Sequence, residues 1–558
     1  MGVTGQGVAA KPKGMALLRT ALSGRKTAAM LALGFSSGLP VALLVGTLNA
    51  WLGEAKVSLA TIGILSWIGL AYAFKFLWSP MVDRLALPLA GRLGRRRGWL
   101  IPCQLLVAAV LLALAATDPA SAIGTFAAMA VVGAFASATQ DIAVDAWRID
   151  VADAETSVEL LSAIYQLGYR LSVLFGGAFS LVLAARIGWP GVYVVMAVVM
   201  ALLAIATLGA PEAPAIERAA DTPVAGDHAP DPYHGARVAA LAVVAAAWAA
   251  AIVTIGAFMS IVLATPAGEK PPSAGDFTKA FGPWIVVATV IVPVLVGVWM
   301  NRRGVPRDEV PGERAFGSGV VARGYAALVA PFADLIGRLG WGALIVLGLI
   351  LTYRICDSIW GPFAYPFYLE QLKYTNDEVA FASKIFGVVM LLIGVALSGL
   401  LFVWLGRMAT LLIGAVTAAA TNLLYADLAL GGGGIDAFAH ATGLSALFGA
   451  IGADDRMTRL LIAISGENIA SGLAGAAFVA YLSTVTSRRF AAVQYALLSS
   501  LTLLVGSLGR GALGEAIDTI GYAPVFRFTA ALGLLAVAFV LLEWWRTRGD
   551  RRADSPAV

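Results

Sequence analysis

Charged residues are scarce in this sequence. Asp, Glu, Lys and Arg make up 13% of its 558 residues, about half the share found in a soluble domain. A water-soluble fold needs a polar coat, so this scarcity excludes one over most of the chain. There are only two cysteines, Cys103 and Cys356, both inside apolar runs, which excludes a disulfide framework or a cysteine-rich metal centre. The three histidines, His228, His234 and His440, fall in loop-like stretches. No apolar run therefore carries a histidine base. No phosphate-cradling G-K-[ST] loop occurs, which argues against ATP-driven chemistry. The short alternating segments of a membrane β-barrel are also missing. The first 27 residues hold Lys11, Lys13, Arg19, Arg25 and Lys26. No short apolar stretch with a cleavage site follows, so they read as a basic tail rather than a removable leader.

What is present is apolar sequence, 59% of the chain, in runs of about 20 residues, enough to cross a bilayer as helix. Backbone polar groups in lipid must be satisfied within the segment, so the spans are expected to be helices. Six are read at 28–52, 59–79, 98–117, 121–143, 158–185 and 189–210. A Pro-rich polar stretch, 211–236, precedes two more at 237–265 and 280–300. A basic segment to 340 has room for a surface helix near 318–338. Six further spans follow at 341–368, 378–404, 408–430, 457–484, 487–511 and 522–545. With the N-terminus inside, most of the 39 Lys and Arg fall in inside loops and tails, as the positive-inside rule requires. Loop placement thus explains the net charge of +5 without nucleic acid.

These spans give an all-α integral membrane protein. Residues 1–27 and 546–558 form cytoplasmic tails. Residues 28–210 and 341–545 form two six-helix halves, and 211–340 is a linker carrying two extra helices. The segment 146–167, "AWRIDVADAETSVELLSAIYQL", echoes 480–501, "AYLSTVTSRRFAAVQYALLSSL". Two halves in parallel repeat describe the major facilitator architecture, with its substrate site between the halves near the midplane. The count is fourteen spans.

The candidate site residues are charges where charge is expensive, roughly 2.5–3.5 kcal/mol each at mid-helix. Lys75, Asp141, Arg170, Arg354, Asp357, Lys384 and Glu467 lie inside spans. Arg170 shares a face with Ser162 and Gln166. Arg354 and Asp357 share one with Gly361, Tyr365 and Tyr368, which suits either a sugar-lined cavity or a local ion pair. Glu467 heads a stripe with Ser471 and Gly475, beside Asn468. Such a carboxylate is salt-bridged or reversibly protonated, and desolvation favours the second. Lys75 is close enough to the inside end to snorkel.

At the inside end, "TQDIAVDAWRID" (139–150) places Asp141, Asp145 and Arg148 on one face, where Asp145 and Arg148 can pair. Asp150 reads as a solvated helix end. "SPMVDRLALPLAGRLGRRRGWL" (79–100) resembles the major facilitator loop signature, in which an acid and following arginines hold the cytoplasmic gate. Asp83, Arg84, Arg95 and Arg96 match it, with Pro80 in place of the usual first glycine and extra residues before Gly94. "GFSSG" (34–38) matches a nucleophile-elbow pattern, but inside a span Gly34 and Gly38 read as a helix-packing pair.

The stretches "FSSGLPVALLVGTLNAWL", "AYAFKFLWSPMVDR", "ASATQDIAVDAWRIDV", "GYRL", "YRICD", "ENIASGLAGAAFVAYLSTVTSRRF" and "FAAVQYALLS" resemble, in order and in both halves, the AmpG-type muropeptide permeases. The resemblance implies a fourteen-span facilitator in the bacterial inner membrane. It would import GlcNAc-1,6-anhydro-MurNAc peptides with protons for cell-wall recycling, a process linked to β-lactamase induction. No cofactor and no metal are implied. The departures are Arg354 where lysine is common and a glycine-rich insertion at 431–455. Peptide carboxylates would need Arg170, Arg354 and Lys384. Tyr365, Tyr368, Asn468 and Gln494 would hydrogen-bond sugar or peptide. Glu467, Asp141 and Asp357 are the proton-coupling candidates. Asp83, Arg84, Arg95, Arg96, Asp145 and Arg148 would form the gate. The rivals are a facilitator for another large anion such as a CoA ester, a membrane-embedded hydrolase or acyltransferase, and a transport-like receptor.

Overall fold

The computed structural model describes residues 24–55, 71–72, 74–85, 87–88, 90–119, 121–212, 232–263, 272, 274–305, 319–356, 363–450 and 452–553. Among these residues every regular element is helical. The first half holds α1 (Arg25–Val41), α2 (Arg97–Ala115), α3 (Ile123–Val151), α4 (Val158–Leu174) and α5 (Ser180–Leu208). The middle of the chain gives α6 (His234–Leu263), α7 (Ala274–Val286), α8 (Val292–Arg302), α9 (Gly319–Leu328) and α10 (Ala330–Leu339). Then come α11 (Gly342–Thr352), α12 (Gly387–Leu405), α13 (Arg407–Ala429), α14 (Gly433–Thr442) and α15 (Leu444–Gly449). The chain ends in α16 (Asp455–Val485), α17 (Ala491–Ile520) and α18 (Tyr522–Ala553).

Apolar sequence makes these segments helical, and local chemistry decides where they stop. Ser157 caps α4 by accepting the Leu160 N–H, and Asp454 caps α16 by accepting that of Met457. The apolar stretch Val158–Leu208 runs 51 residues, which as one straight helix would be about 75 Å long, more than twice the hydrocarbon thickness. Gly188 breaks it with φ 71° and ψ 164°, a conformation that glycine adopts without steric cost. A second break, at Gly340, turns α10 through 106° relative to α11. α10 lies at this bend with Phe332, Leu335 and Ile336 buried, in the place expected for the surface helix.

Glycines let the helices meet backbone to backbone. A Cβ on Gly34 would collide with the Tyr165 carbonyl oxygen, and one on Gly38 would stand 2.6 Å from that of Tyr169. The GFSSG stretch is therefore the seam between α1 and α4, as the packing reading expected. Gly394 and Gly472 bring α12 onto α16 in the same way. α4 packs against α12 and α16, and α3 against α17, so these pairs join the two halves. The central helices dock through Trp248 of α6. Its ring meets Phe76 and Phe332 edge-on, and its indole N–H donates to the Thr289 carbonyl at 3.2 Å.

Candidate functional site

Two charge networks fill the basic end of the first half. Asp83, 6% exposed, receives Arg96 at 3.1 Å and Arg95 at 3.6 Å. Asp150 receives the same arginines at 2.8 Å and 3.7 Å. The expectation of a solvated Asp150 is thus corrected: it is buried, because the loop before α2 folds over the end of α3. In the second network Asp145 is shared by Arg148 at 3.1 Å and Lys75 at 3.4 Å. Lys75 does not snorkel. It is 7% exposed and directed inward, since Asp145 offers a partner that lipid headgroups would otherwise supply. Asp141, one turn deeper, is buried as well, and its Oδ1 atom has no hydrogen-bond partner. Arg84 is a gate candidate whose side chain lies outside the described residues.

The second half closes over these networks with different chemistry. The Val493 N–H, in the first turn of α17, donates to Asp83 Oδ2 at 3.1 Å. No side chain of its own half caps that helix, so Asp83 caps it from across the interface. Arg148 donates to Ser483 Oγ at 3.3 Å and lies between the Tyr165 and Tyr495 rings, 4.8 and 4.9 Å from their centroids. Arg488 donates to the Ala152 carbonyl at 2.6 Å, and Arg407 meets Glu159 at 3.6 Å. The segments that echo each other in sequence, 146–167 and 480–501, are the ones that meet here.

Deeper in the interface lie the central candidates. Arg354 Nη1 donates to the Ser471 carbonyl at 3.2 Å. A Cβ on Gly475 would stand 3.0 Å from Arg354 and 3.6 Å from the Gln166 side chain of α4. Arg170, half-buried beside the Tyr169 ring, lies within Coulombic range of Arg354. A cation of the second half, Arg354, and an amide of the first, Gln166, thus meet at the Ser471–Gly475 stripe. Glu467, on the same stripe, accepts the Tyr425 hydroxyl at 2.5 Å, and Tyr425 shares a 2.9 Å hydrogen bond with Tyr368. Asn468 donates back to the Ile464 carbonyl.

The structure does not bring all the candidates together. Gln494 is buried at the basic end, where it receives Arg338 at 3.0 Å and donates to Asp334 and to the Pro331 carbonyl. It fastens α10 to α17 and lies apart from the central stripe. Asp357, and the side chains of Tyr365 and Lys384, lie outside the described residues. Sequence reasoning missed Tyr425, whose signal was a phenol amid apolar residues of a span. It also missed the Val493 N–H, for which no residue-level signal exists. The 431–455 insertion folds as α14 and α15. Arg459 grips Asp436 through two 2.7 Å hydrogen bonds and holds its carboxyl below the usual range.

A family model described as acetyl-coenzyme A transporter 1 matches residues 27–123. The anhydromuropeptide permease of Escherichia coli (strain K12) is 29% identical over 532 residues, 94% of this chain and 82% of the relative. The AmpG 4 protein of Rickettsia conorii is 25% identical over 512 residues, 91% and 94% of the two chains. Among solved structures, the proton:xylose symporter XylE superposes with a TM-score of 0.52 at 13% identity, covering 93% of this chain and 94% of its own. The human organic anion transporter MFSD10 gives 0.52 at 11%, over 92% and 99%. At these identities the structural likeness speaks for the fold alone. The chain is therefore a multi-pass membrane transporter of the major facilitator fold rather than an enzyme, related over nearly its whole length to the AmpG-type permeases.

Proposed function

We propose that this protein imports GlcNAc-1,6-anhydro-MurNAc peptides with protons across the bacterial inner membrane, serving cell-wall recycling and its link to β-lactamase induction. The observation that carries this reading is the meeting of Arg354 and Gln166, one from each half, at the Ser471–Gly475 stripe, with Arg170 one turn along α4 from Gln166. Peptide carboxylates need cations, and a site shared by both halves can be exposed to either side in turn. Glu467 with Tyr425 is the proton-coupling site we favour, Asp141 the next. Asp83, Arg95, Arg96, Asp145 and Arg148 form the cytoplasmic gate, shut in this conformation.

The proposed topology has fourteen spans with both termini cytoplasmic. Ten described helical stretches are long and apolar enough to cross, and the bent pair at 330–352 allows an eleventh. The break at Gly188 makes two spans of one stretch, α17 adds another, and the expected span at 59–79 falls mainly outside the described residues. A second reading, transport of acetyl-CoA, draws on the family model matched at residues 27–123. Uptake into sealed vesicles separates the two. Labelled anhydro-muropeptide should accumulate when a pH gradient is imposed and not without one. Entry of acetyl-CoA but not of muropeptide would overturn the assignment. Glu467→Gln should abolish accumulation while sparing counterflow exchange, which needs no net proton movement.

A further inference from the structure

Beside the gate, at the same end of the molecule, is a cavity of about 260 Å³ between the start of α13 and the end of α18. Its walls are Gly406, Arg407, Met408 and Ala409 on one side and Trp544, Thr547 and Arg548 on the other. Three observations give it the chemistry of an anion site. Two guanidinium groups from different helices border it, and Arg548 is held in place over the Trp544 ring, 4.4 Å from its centroid. The N-terminus of α13 opens into it uncapped by any side chain, so the first N–H groups lack intrahelical acceptors and carry the positive end of the helix dipole. Finally, Arg407 Nε is shielded from solvent and has no hydrogen-bond partner. The neighbouring Arg546 does not add to the site, because two 2.7 Å hydrogen bonds bind it to Glu543.

The setting says which anion. Leu405, which also lines the cavity, is 54% exposed, and Trp404 and Trp545, next in the chain to lining residues, are 63% and 77% exposed, so large apolar and indole surface adjoins the cavity. Exposed indoles mark the headgroup level of a bilayer. A ligand here has its charge in the cavity and its apolar part along α12 and α18. We infer that this cavity binds the phosphate of an anionic phospholipid, with Arg407, Arg548, Thr547 and the first turn of α13 as donors. Arg407 also meets Glu159 of the first half, so a phosphate bound here draws on the same guanidinium that ties the halves together. The inference rests on the chain spanning a membrane and is independent of the transported solute.

The test uses the full chain in detergent, with native mass spectrometry of added phosphatidylglycerol or phosphatidylcholine, which share acyl chains and differ in net charge. Phosphatidylglycerol should bind preferentially. Arg548→Ala, which removes an exposed side chain in the last turns of α18, should weaken that preference about fivefold, the loss of one basic residue near a lipid phosphate. Arg548→Lys should keep most of it. Inorganic phosphate at millimolar concentration should not displace the lipid. Equal binding of the two lipids, or an Arg548→Ala protein indistinguishable from the parent, would overturn the site. Displacement by inorganic phosphate would overturn the lipid assignment and leave a soluble phosphate ester as the ligand. Each result is read without any uptake assay, so it stands apart from the fate of the muropeptide reading.

Discussion

The two halves meet at the basic end with unequal means. The first half brings Asp83, Arg95, Arg96, Asp145, Arg148, Asp150 and Lys75, and every strong ion pair among them is internal to that half. The second half answers with a backbone N–H, a serine hydroxyl and a tyrosine ring. It also sends Arg488 to a carbonyl and Arg407 to Glu159 at a loose 3.6 Å. The difference has a physical use. Splitting a buried ion pair costs about 3–5 kcal/mol because it strands a charge. A hydrogen bond to a charged group contributes less, about 1.5–3 kcal/mol. If these residues form the gate we propose, it can open by breaking hydrogen bonds and the one loose, part-exposed Arg407–Glu159 pair, leaving the buried ion pairs intact.

The sharpest way to break this comparison is Arg96→Ala. Arg96 is 1% exposed and serves both Asp83 and Asp150. Its loss should lower the stability of the folded protein by roughly 3–5 kcal/mol, seen as reduced yield and earlier thermal unfolding in detergent. A variant of normal stability would mean that Arg95 alone neutralises both acids, and the network would not be the rigid body described here.

Next in size is a cut between the halves. Ser483→Ala removes the acceptor of Arg148 across the interface and touches no ion pair. Stability should be nearly unchanged, while the closed population falls by about 1.5 kcal/mol, close to tenfold. Thiol labelling of a cysteine at Ala152, 8% exposed in the closed form, reports the change, and the native Cys103 and Cys356 are buried. Asp83→Asn should act the same way with a larger loss of stability, because it weakens both an internal pair and the cap on α17. If Ser483→Ala destabilised the fold as much as Arg96→Ala, the division of labour would be wrong.

How much of this was legible in the sequence follows the same division. Charges in apolar runs are conspicuous, so Arg170, Arg354 and Glu467 stood out, while Asp83 showed through the loop signature it resembles and Asp145 and Arg148 as a pair at the end of a span. The four-residue step of a helix put Glu467, Ser471 and Gly475 on one stripe. What a charge meets across an interface has no local signature. Asp150 looked solvated and Lys75 looked free to snorkel because their partners lie on other elements. Gln494 looked available for a sugar because nothing near it in sequence announces Asp334 and Arg338. The Val493 N–H is invisible in principle, since every residue but proline has one. Span positions were legible because a bilayer sets their length. The break at Gly188 showed as a boundary between two spans, and the 106° turn at Gly340 showed only as the boundary between a basic segment with room for a surface helix and an apolar span.

The smallest effect sharpens the comparison from the other side. Lys26, at the start of α1, is paired with Asp153 in the loop between α3 and α4, so this tie is internal to the first half and at its surface. The Lys26 ammonium, hydrogen-bonded to the Asp153 carboxyl, holds that carboxyl below its usual range, helped by the Thr156 and Glu155 N–H groups. A carboxyl depressed in the folded state contributes stability that is complete above its unfolded value, about 4, and is lost as pH falls through the folded value. Half of the Asp153 side chain is exposed, so screening limits the pair to a few tenths of a kcal/mol. Lys26→Met should therefore lower the unfolding temperature slightly at pH 7, with the difference shrinking as pH drops below about 4. It should leave the labelling of a cysteine at Ala152 unchanged, because both partners move with the same half. A Lys26→Met protein that opened as readily as Ser483→Ala would show that surface ties within a half also set the gate, and the contrast between the halves would fail.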